Sequence, residues 1–239
     1  MNMTSQKTRI SFWQRLFDMV CPKACGVCGR RLGLNEEVLC GTCNLHLART
    51  GHASHPTDNE MAKAFWGRIS IEKAAALFHY QPQSQTARLI YNLKYHGHED
   101  FGERMGEMTA REFDEKGFFE GIDGIIPVPL TKGRQRERGY NQSERIARGI
   151  SHATGIPILD CIVVRKNFDG SQTDKHRWQR NENVENVFQL RPDQDISGKH
   201  LLVVDDIVTS GATVCACAKE LQRAEDVRIS VLSLGFTKT

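Results

Sequence analysis

From about Ile71 onward, short apolar runs alternate with stretches whose apolar residues recur at helical spacing. Lys73 to Tyr80 reads as a strand, and Ala87, Ile90, Tyr91 and Leu93 read as one face of a helix. Gly124 to Leu130 reads as a buried strand, and Tyr140 to His152 as a helix with Ile146 and Ile150 inward. Cys161–Arg165, Val184–Leu190, Leu201–Asp205 and Arg228–Gly235 add short strands. Strands alternating with helices predict an α/β architecture with a largely parallel sheet. Ahead of this region the pattern differs. Thr50 to Arg68 is polar, with Pro56 as a breaker, and reads as a connector. Ile10, Phe12, Trp13, Leu16, Phe17 and Val20 form a helical apolar stripe. Packing onto the neighbouring module suits that stripe better than a membrane-surface helix, because it leads straight into a run of cysteines. The expected units are residues 1–50, a connector over 51–70, and a main body over 71–239.

Length and charge narrow the possibilities. A chain of 239 residues buries roughly 70% of its unfolded surface and needs no disulfides to hold its core. With 32 basic and 29 acidic residues the net charge is +3, so a nucleic-acid site would have to be local. No apolar run reaches the roughly 18 residues of a membrane span. The first residues, with Lys7, Arg9 and Arg15, lack the apolar stretch of a signal peptide, and a cytoplasmic protein is expected.

The eight cysteines are unevenly spread. Cys25-Gly-Val-Cys28 and Cys40-Gly-Thr-Cys43 are two knuckles separated by eleven residues. Such pairs let four thiolates converge on one tetrahedral ion, and the glycines permit the tight turns. Structural Zn²⁺ held by Cys25, Cys28, Cys40 and Cys43 is expected, with two disulfides as the alternative in an oxidising compartment. Cys21 reads as a bystander, and His46, His52 and His55 as part of a surface loop. Cys161, Cys215 and Cys217 read as buried structural thiols.

Leu201-Leu-Val-Val-Asp-Asp-Ile-Val-Thr-Ser-Gly-Ala-Thr213 carries the densest chemistry. A strand running to Asp205 and Asp206 is followed by a Thr209-Ser210-Gly211 turn and then a helix containing Ala212 and Thr213. A helix start offers unpaired N–H groups and a positive dipole end to a phosphate. Gly211 permits close approach, and paired carboxylates accept hydrogen bonds from vicinal hydroxyls. Asp-Asp alone is also consistent with a solvated turn. The segment looks like the phosphoribosyl pyrophosphate (PRPP) signature of type I phosphoribosyltransferases.

Ligands in open α/β sheets bind beyond the carboxyl ends of strands, which gathers two further loops around the same cleft. Thr131 to Gln142 carries Lys132, Arg134, Arg136 and Arg138, and with Gly133 and Gly139 reads as a mobile cationic loop. Guanidinium groups bind pyrophosphate oxygens bidentately, although a solvated basic loop or a nucleic-acid contact fits the same composition. The other loop runs from Arg165 to Thr173 and on to Arg177, Arg180 and Asn183.

Taken with Asn92-Leu-Lys-Tyr95, Pro127-Val-Pro-Leu130, Arg138-Gly-Tyr-Asn-Gln142 and Ser171-Gln-Thr173, these motifs resemble the ComF family over nearly the whole chain. The resemblance implies a type I phosphoribosyltransferase-like, mostly parallel sheet flanked by helices, with a small N-terminal zinc-ribbon module. It implies that Asp205 and Asp206 hold the ribose hydroxyls and that Thr209, Ser210, Gly211, Ala212 and Thr213 cradle the 5′-phosphate. Arg134, Arg136 and Arg138 would face the pyrophosphate, with Mg²⁺ bridging PRPP and protein. Trp178 and Gln179 depart from the small or acidic residues usual in the family's third loop. The family's link to DNA uptake and natural competence gives two functional expectations. One is phosphoribosyl transfer from PRPP to an acceptor that the sequence does not name. The other is a non-catalytic, PRPP-sensing adaptor that binds single-stranded DNA or competence proteins. Oligomeric state is not written in the sequence.

Overall fold

Parallel strands cannot be joined by tight turns, and the helices alternating with them supply the crossovers. The computed structural model describes residues 23–95, 99–159, 163–165, 187–191 and 194–238. Strands β1 (Lys73–His79), β2 (Gly124–Pro127), β5 (His200–Val208) and β6 (Arg228–Phe236) form one parallel sheet in the order β1-β6-β5-β2. The short strands β3 (Val163–Arg165) and β4 (Phe188–Leu190) pair antiparallel with each other, apart from this sheet.

Both faces of the sheet are covered, which is why its strands are continuous aliphatic runs. On one face Leu77, Leu202, Val204 and Leu232 pack against α3 (Gln85–Tyr95), α4 (Glu99–Asp114) and α6 (Gln142–Thr154). On the other, Leu201, Val203 and Val231 meet Val214, Cys217 and Leu221 of α7 (Ala212–Leu221). Cys215 and Cys217 are buried, as expected of structural thiols. Helices α4 and α6 touch at their backbones. A methyl group on Gly106 would lie 2.1 Å from the Ile146 carbonyl oxygen, and one on Gly149 would lie 1.8 Å from that of Glu103.

Several expected elements take a different course. β2 stops at Pro127, since Pro127 and Pro129 have no N–H to give the ladder. β5 extends beyond Asp205 to Val208, because pairing with β6 continues to Val208–Phe236. The inward face of α3 is Thr86, Leu89, Ile90 and Leu93, whereas Tyr91 is exposed. The stretch read as a connector holds a 3₁₀ turn (His52–Ser54) and the helical turn α2 (Glu60–Lys63), and it buries Met61, Ala62 and Phe65. Asn59 fixes it there. Its Oδ1 accepts from the Ala62 N–H, and its Nδ2 donates to the Ala74 carbonyl, both within 2.9 Å.

His46 and His55 are exposed, but His52 is not part of a surface loop. It is 2% exposed, with Nδ1 3.3 Å from the Ala76 amide and Nε2 3.4 Å from a Glu60 oxygen. Burial lowers its pKa. The N-terminal stripe, Cys21, Cys161, and the third loop with Arg177, Trp178, Gln179, Arg180 and Asn183 lie outside the described residues.

Candidate functional site

Asp205 and Asp206 lie inside β5, not at its end, with one register pair still ahead of them toward β6 at Ile207 and another at Val208. Each has a partner from a different helix. The Ser143 hydroxyl, in the first turn of α6, donates to Asp205 Oδ1 at 3.0 Å, and the Asp206 N–H donates to the same oxygen at 2.9 Å. Lys94 Nζ, near the end of α3, stands 3.2 Å from Asp206 Oδ2. Burial, then the adjacent Asp206 charge, push the Asp205 carboxyl up to about 7, against the pull of the two hydrogen bonds and Lys94. Asp205 is therefore a carboxyl whose charge is poised at neutral pH.

Strand β5 delivers the chain into an exposed turn, Thr209 and Ser210, and then Gly211 opens α7. Gly211 has φ +72°, a left-handed conformation that a side chain would strain. It is also overlaid: a methyl group there would meet Phe65 at 2.8 Å and Arg68 Nη1 at 3.5 Å. Arg68 donates to the Ser210 carbonyl, so its guanidinium sits at the turn itself. Ser210 Oγ is 3.4 Å from the Ala212 amide, and Ala212 and Thr213 begin the helix, half-buried. Exposed hydroxyls, helix-start amides and a nearby cation make this turn fit for a phosphate.

The cationic stretch is a helix, not a mobile loop. α5 spans Lys132–Arg138, with Thr131 Oγ1 accepting from the Arg134 N–H and left-handed Gly139 closing the end. Arg134 and Arg136 are exposed. Arg138 donates to Gln142 Oε1 at 2.8 Å, and its guanidinium lies 5.8 Å from the Tyr95 ring centre. Directly after it, Tyr140 donates to the Leu93 carbonyl, and Asn141 caps α6 through the Ser143 N–H. The same short connection thus anchors to α3 and sets Ser143 beside Asp205.

The four cysteines converge. Their sulfurs all lie within 4.8 Å of one another, and Cys28 and Cys40 are 3.8 Å apart. Four sulfurs at 2.3 Å from one tetrahedral ion are about 3.8 Å apart, so the set fits structural zinc. Cys40 caps the short helix α1 (Gly41–His46), its sulfur accepting from the Cys43 N–H. Burial opposes ionisation of Cys25, but N–H groups of Cys40, Cys28 and Val27 outweigh it and bring the thiol down to about 7. Burial and its neighbours' thiols push Cys43 well above the usual thiol range. Bound metal would reverse that second effect, since a coordinating thiol is deprotonated. The clasp is seated on the main body. Gly26 lies so close to Phe101 that a methyl group would come within 2.2 Å, and Asn92 Nδ2 donates to the Gly26 carbonyl at 2.8 Å.

Sequence reasoning did not assign roles to Lys94, Ser143, Arg68 or Phe65. Lys94 stands in the Asn92–Tyr95 motif, so the motif was visible while its target was not. Arg68 and Phe65 fell in the presumed connector and gave no signal.

A family model, the phosphoribosyl transferase domain, matches residues 110–234, which include both carboxylates and the glycine turn. The chain belongs to that family. The wider relatives are of the ComF type. A DNA utilization protein, YhgH, of Salmonella typhi is 27% identical over 217 residues, covering 89% of this chain and 90% of the relative. Competence protein F of Haemophilus influenzae is 33% identical over 114 residues, covering 47% and 50%. Among solved structures, a purine phosphoribosyltransferase from Pyrococcus horikoshii aligns with TM-score 0.37 and 18% identity, over 56% of this chain and 82% of that one. This ComF-type chain thus joins a phosphoribosyltransferase-like sheet to a four-cysteine cluster compatible with zinc. No helix among the described residues is long and apolar enough to cross a membrane.

Proposed function

We propose that this ComF-type protein binds PRPP at the β5–α7 junction and transfers its phosphoribosyl group to an acceptor. One observation carries the reading. Asp205 and Asp206 are held by Ser143 and Lys94 two residues before an exposed Thr209–Ser210 turn that enters a helix at left-handed Gly211. The carboxylates take the vicinal ribose hydroxyls, and Thr209 to Thr213 take the 5′-phosphate, with Arg68 close to the same turn. Arg134, Arg136 and Arg138 on α5 provide charge for the pyrophosphate. Asp205 and Asp206 present hard oxygens suited to Mg²⁺, which when bound neutralises the departing pyrophosphate. Cys25, Cys28, Cys40 and Cys43 hold Zn²⁺ as a structural clasp.

Calorimetric titration with PRPP and Mg²⁺ tests the ribose assignment. The double substitution Asp205→Asn, Asp206→Asn should lower affinity by more than about a hundredfold, the scale of two lost charge-assisted hydrogen bonds. Unchanged affinity would sink it. Release of pyrophosphate in the presence of an acceptor separates transfer from binding alone.

The names of the relatives, DNA utilization protein and competence protein, favour a second reading. Here the chain acts in DNA uptake as a PRPP-sensing adaptor, with the exposed arginines of α5 on single-stranded DNA or on a competence protein. Binding to oligonucleotides should then weaken steeply with salt. No affinity at low salt would remove this reading.

A further inference from the structure

The segment that leads into β1 lies along α7 and touches it at both ends. At the start of the helix, Phe65 and Arg68 stand over Gly211. At its end, the Gln222 side chain donates to the Ser70 carbonyl at 2.6 Å. We propose that Arg68 is the positioning residue of the 5′-phosphate turn: by holding the Ser210 carbonyl it orients and polarises the peptide whose N–H, that of Gly211, donates to the phosphate. The proposal rests on PRPP being bound at Asp205 and Asp206 with its 5′-phosphate at Thr209 to Thr213.

Three observations lead there. First, Arg68 is held in place before any anion arrives. Its own N–H donates to the Phe65 carbonyl at 3.1 Å, and Phe65 is fully buried. Its Nη1 donates to the Ser210 carbonyl and, at 3.2 Å, to the Ala64 carbonyl that closes α2. Backbone and side chain are thus both tied down, and little ordering is left for the ligand to bring about.

Second, the group that Arg68 holds is a carbonyl. A carbonyl oxygen turned toward a phosphate would repel it. In a trans peptide the carbonyl and the following N–H point to opposite sides, and none of the described peptide bonds is cis. With the Ser210 carbonyl drawn to the guanidinium, the Gly211 N–H faces the other way. That N–H has no partner among the described residues. A donor bonded to a carbonyl strengthens the N–H of the same peptide, because linked hydrogen bonds polarise one another.

Third, the charge is uncompensated where it acts. Among the described residues no carboxylate pairs with Arg68, whose side chain is exposed. Its field reaches into the first turn of α7: burial pushes the Cys215 thiol up, and the Arg68 charge pulls against it. The phosphate turn therefore depends on a side chain from a segment that precedes every strand of the sheet.

The test uses the full zinc-loaded chain with Mg²⁺ and PRPP, calorimetry for affinity, and ³¹P NMR of the bound ligand, in which the 5′-phosphate and the pyrophosphate give separate resonances. Arg68→Met removes donor and charge. Arg68→Gln keeps a donor without the charge and serves if the methionine variant does not fold. PRPP affinity should fall about tenfold with Arg68→Met, the scale of one lost charge-assisted hydrogen bond, and Arg68→Lys should recover most of it. A free phosphate loses its second proton near pH ~6, and hydrogen bonds to the dianion lower that midpoint. The midpoint of the bound 5′-phosphate should therefore rise by about half a unit in Arg68→Met and Arg68→Gln, while that of the pyrophosphate stays in place. Unchanged PRPP affinity in Arg68→Met overturns the proposal. So does a 5′-phosphate midpoint that stays where it was, or one that moves together with the pyrophosphate, since Arg68 would then only brace the fold. Failure of the wild type to bind PRPP removes the underlying reading and the role of Arg68 with it.

Discussion

The clasp and the carboxylate site are built by opposite strategies. All four sulfurs of the clasp come from one stretch of chain, Cys25 to Cys43, and the geometry follows from local turns. Asp205 and Asp206 are adjacent in sequence, but the side chains that position them are remote: Ser143 on α6 and Lys94 on α3. The turn beyond them depends on Phe65 and Arg68 from yet another segment. Local construction makes the clasp readable and intolerant of a single ligand change. Distributed construction lets the carboxylates be tuned from several directions.

The sharpest break would come at the clasp. Cys40→Ser replaces one of the four converging sulfurs, in a side chain that is 1% exposed, with a hydroxyl that still caps the helix, so zinc content should fall and stability should drop by roughly 3 kcal/mol or more. Thermal unfolding alongside metal analysis decides this. An unchanged melting temperature would mean the clasp is peripheral.

Gly211→Ala is expected next. Positive φ and the 2.8 Å approach to Phe65 together should cost about 1–3 kcal/mol, with weaker PRPP binding as the turn shifts. Chemical denaturation would reveal it. Lys94→Met probes remote tuning more selectively. It removes the partner of Asp206 and a charge that lowers the Asp205 pKa, so the pH midpoint of PRPP binding should move upward. An unmoved midpoint would show that Lys94 acts only on Asp206.

A separate effect concerns pH and stability. The Asp205 carboxyl titrates near 7 when folded and near 3.8 when not. Between these values the folded chain retains a proton the unfolded chain has released, so this residue's contribution to stability declines as pH rises from about 4 to 7. Asp205→Asn should remove that decline from a series of melting curves. Smallest of all, Arg136→Ala on exposed α5 should change stability by no more than about 0.5 kcal/mol. A clear loss of PRPP affinity with it would bring the helix into the site, and none would leave the pyrophosphate to other groups.

What the sequence reveals follows the same division. The clasp spacing, the aliphatic strands around Leu202 and Val231, and the Asp-Asp–Thr-Ser-Gly register could all be seen in one dimension. α5 could not, because Lys132 to Arg138 has no apolar face and periodicity cannot report a helix that is polar all round. Its Thr131 cap and closing Gly139 were the available signals. Burial of Phe65 and Met61 was hidden by polar neighbours such as Asn59, whose side chain bonds inward to the Ala74 carbonyl. Lys94 and Ser143 could only be matched to their carboxylates once three elements were placed together.

The contact between Gly106 and Gly149 gives this arrangement its tolerance limit. With the Ile146 and Glu103 carbonyls where those methyl groups would lie, α4 and α6 behave as one plate with no clearance between its leaves. An alanine at either position would act as a shim. It would pry α6 away, lift the Ser143 hydroxyl from Asp205, and detune a carboxyl that lies more than fifty positions along the chain.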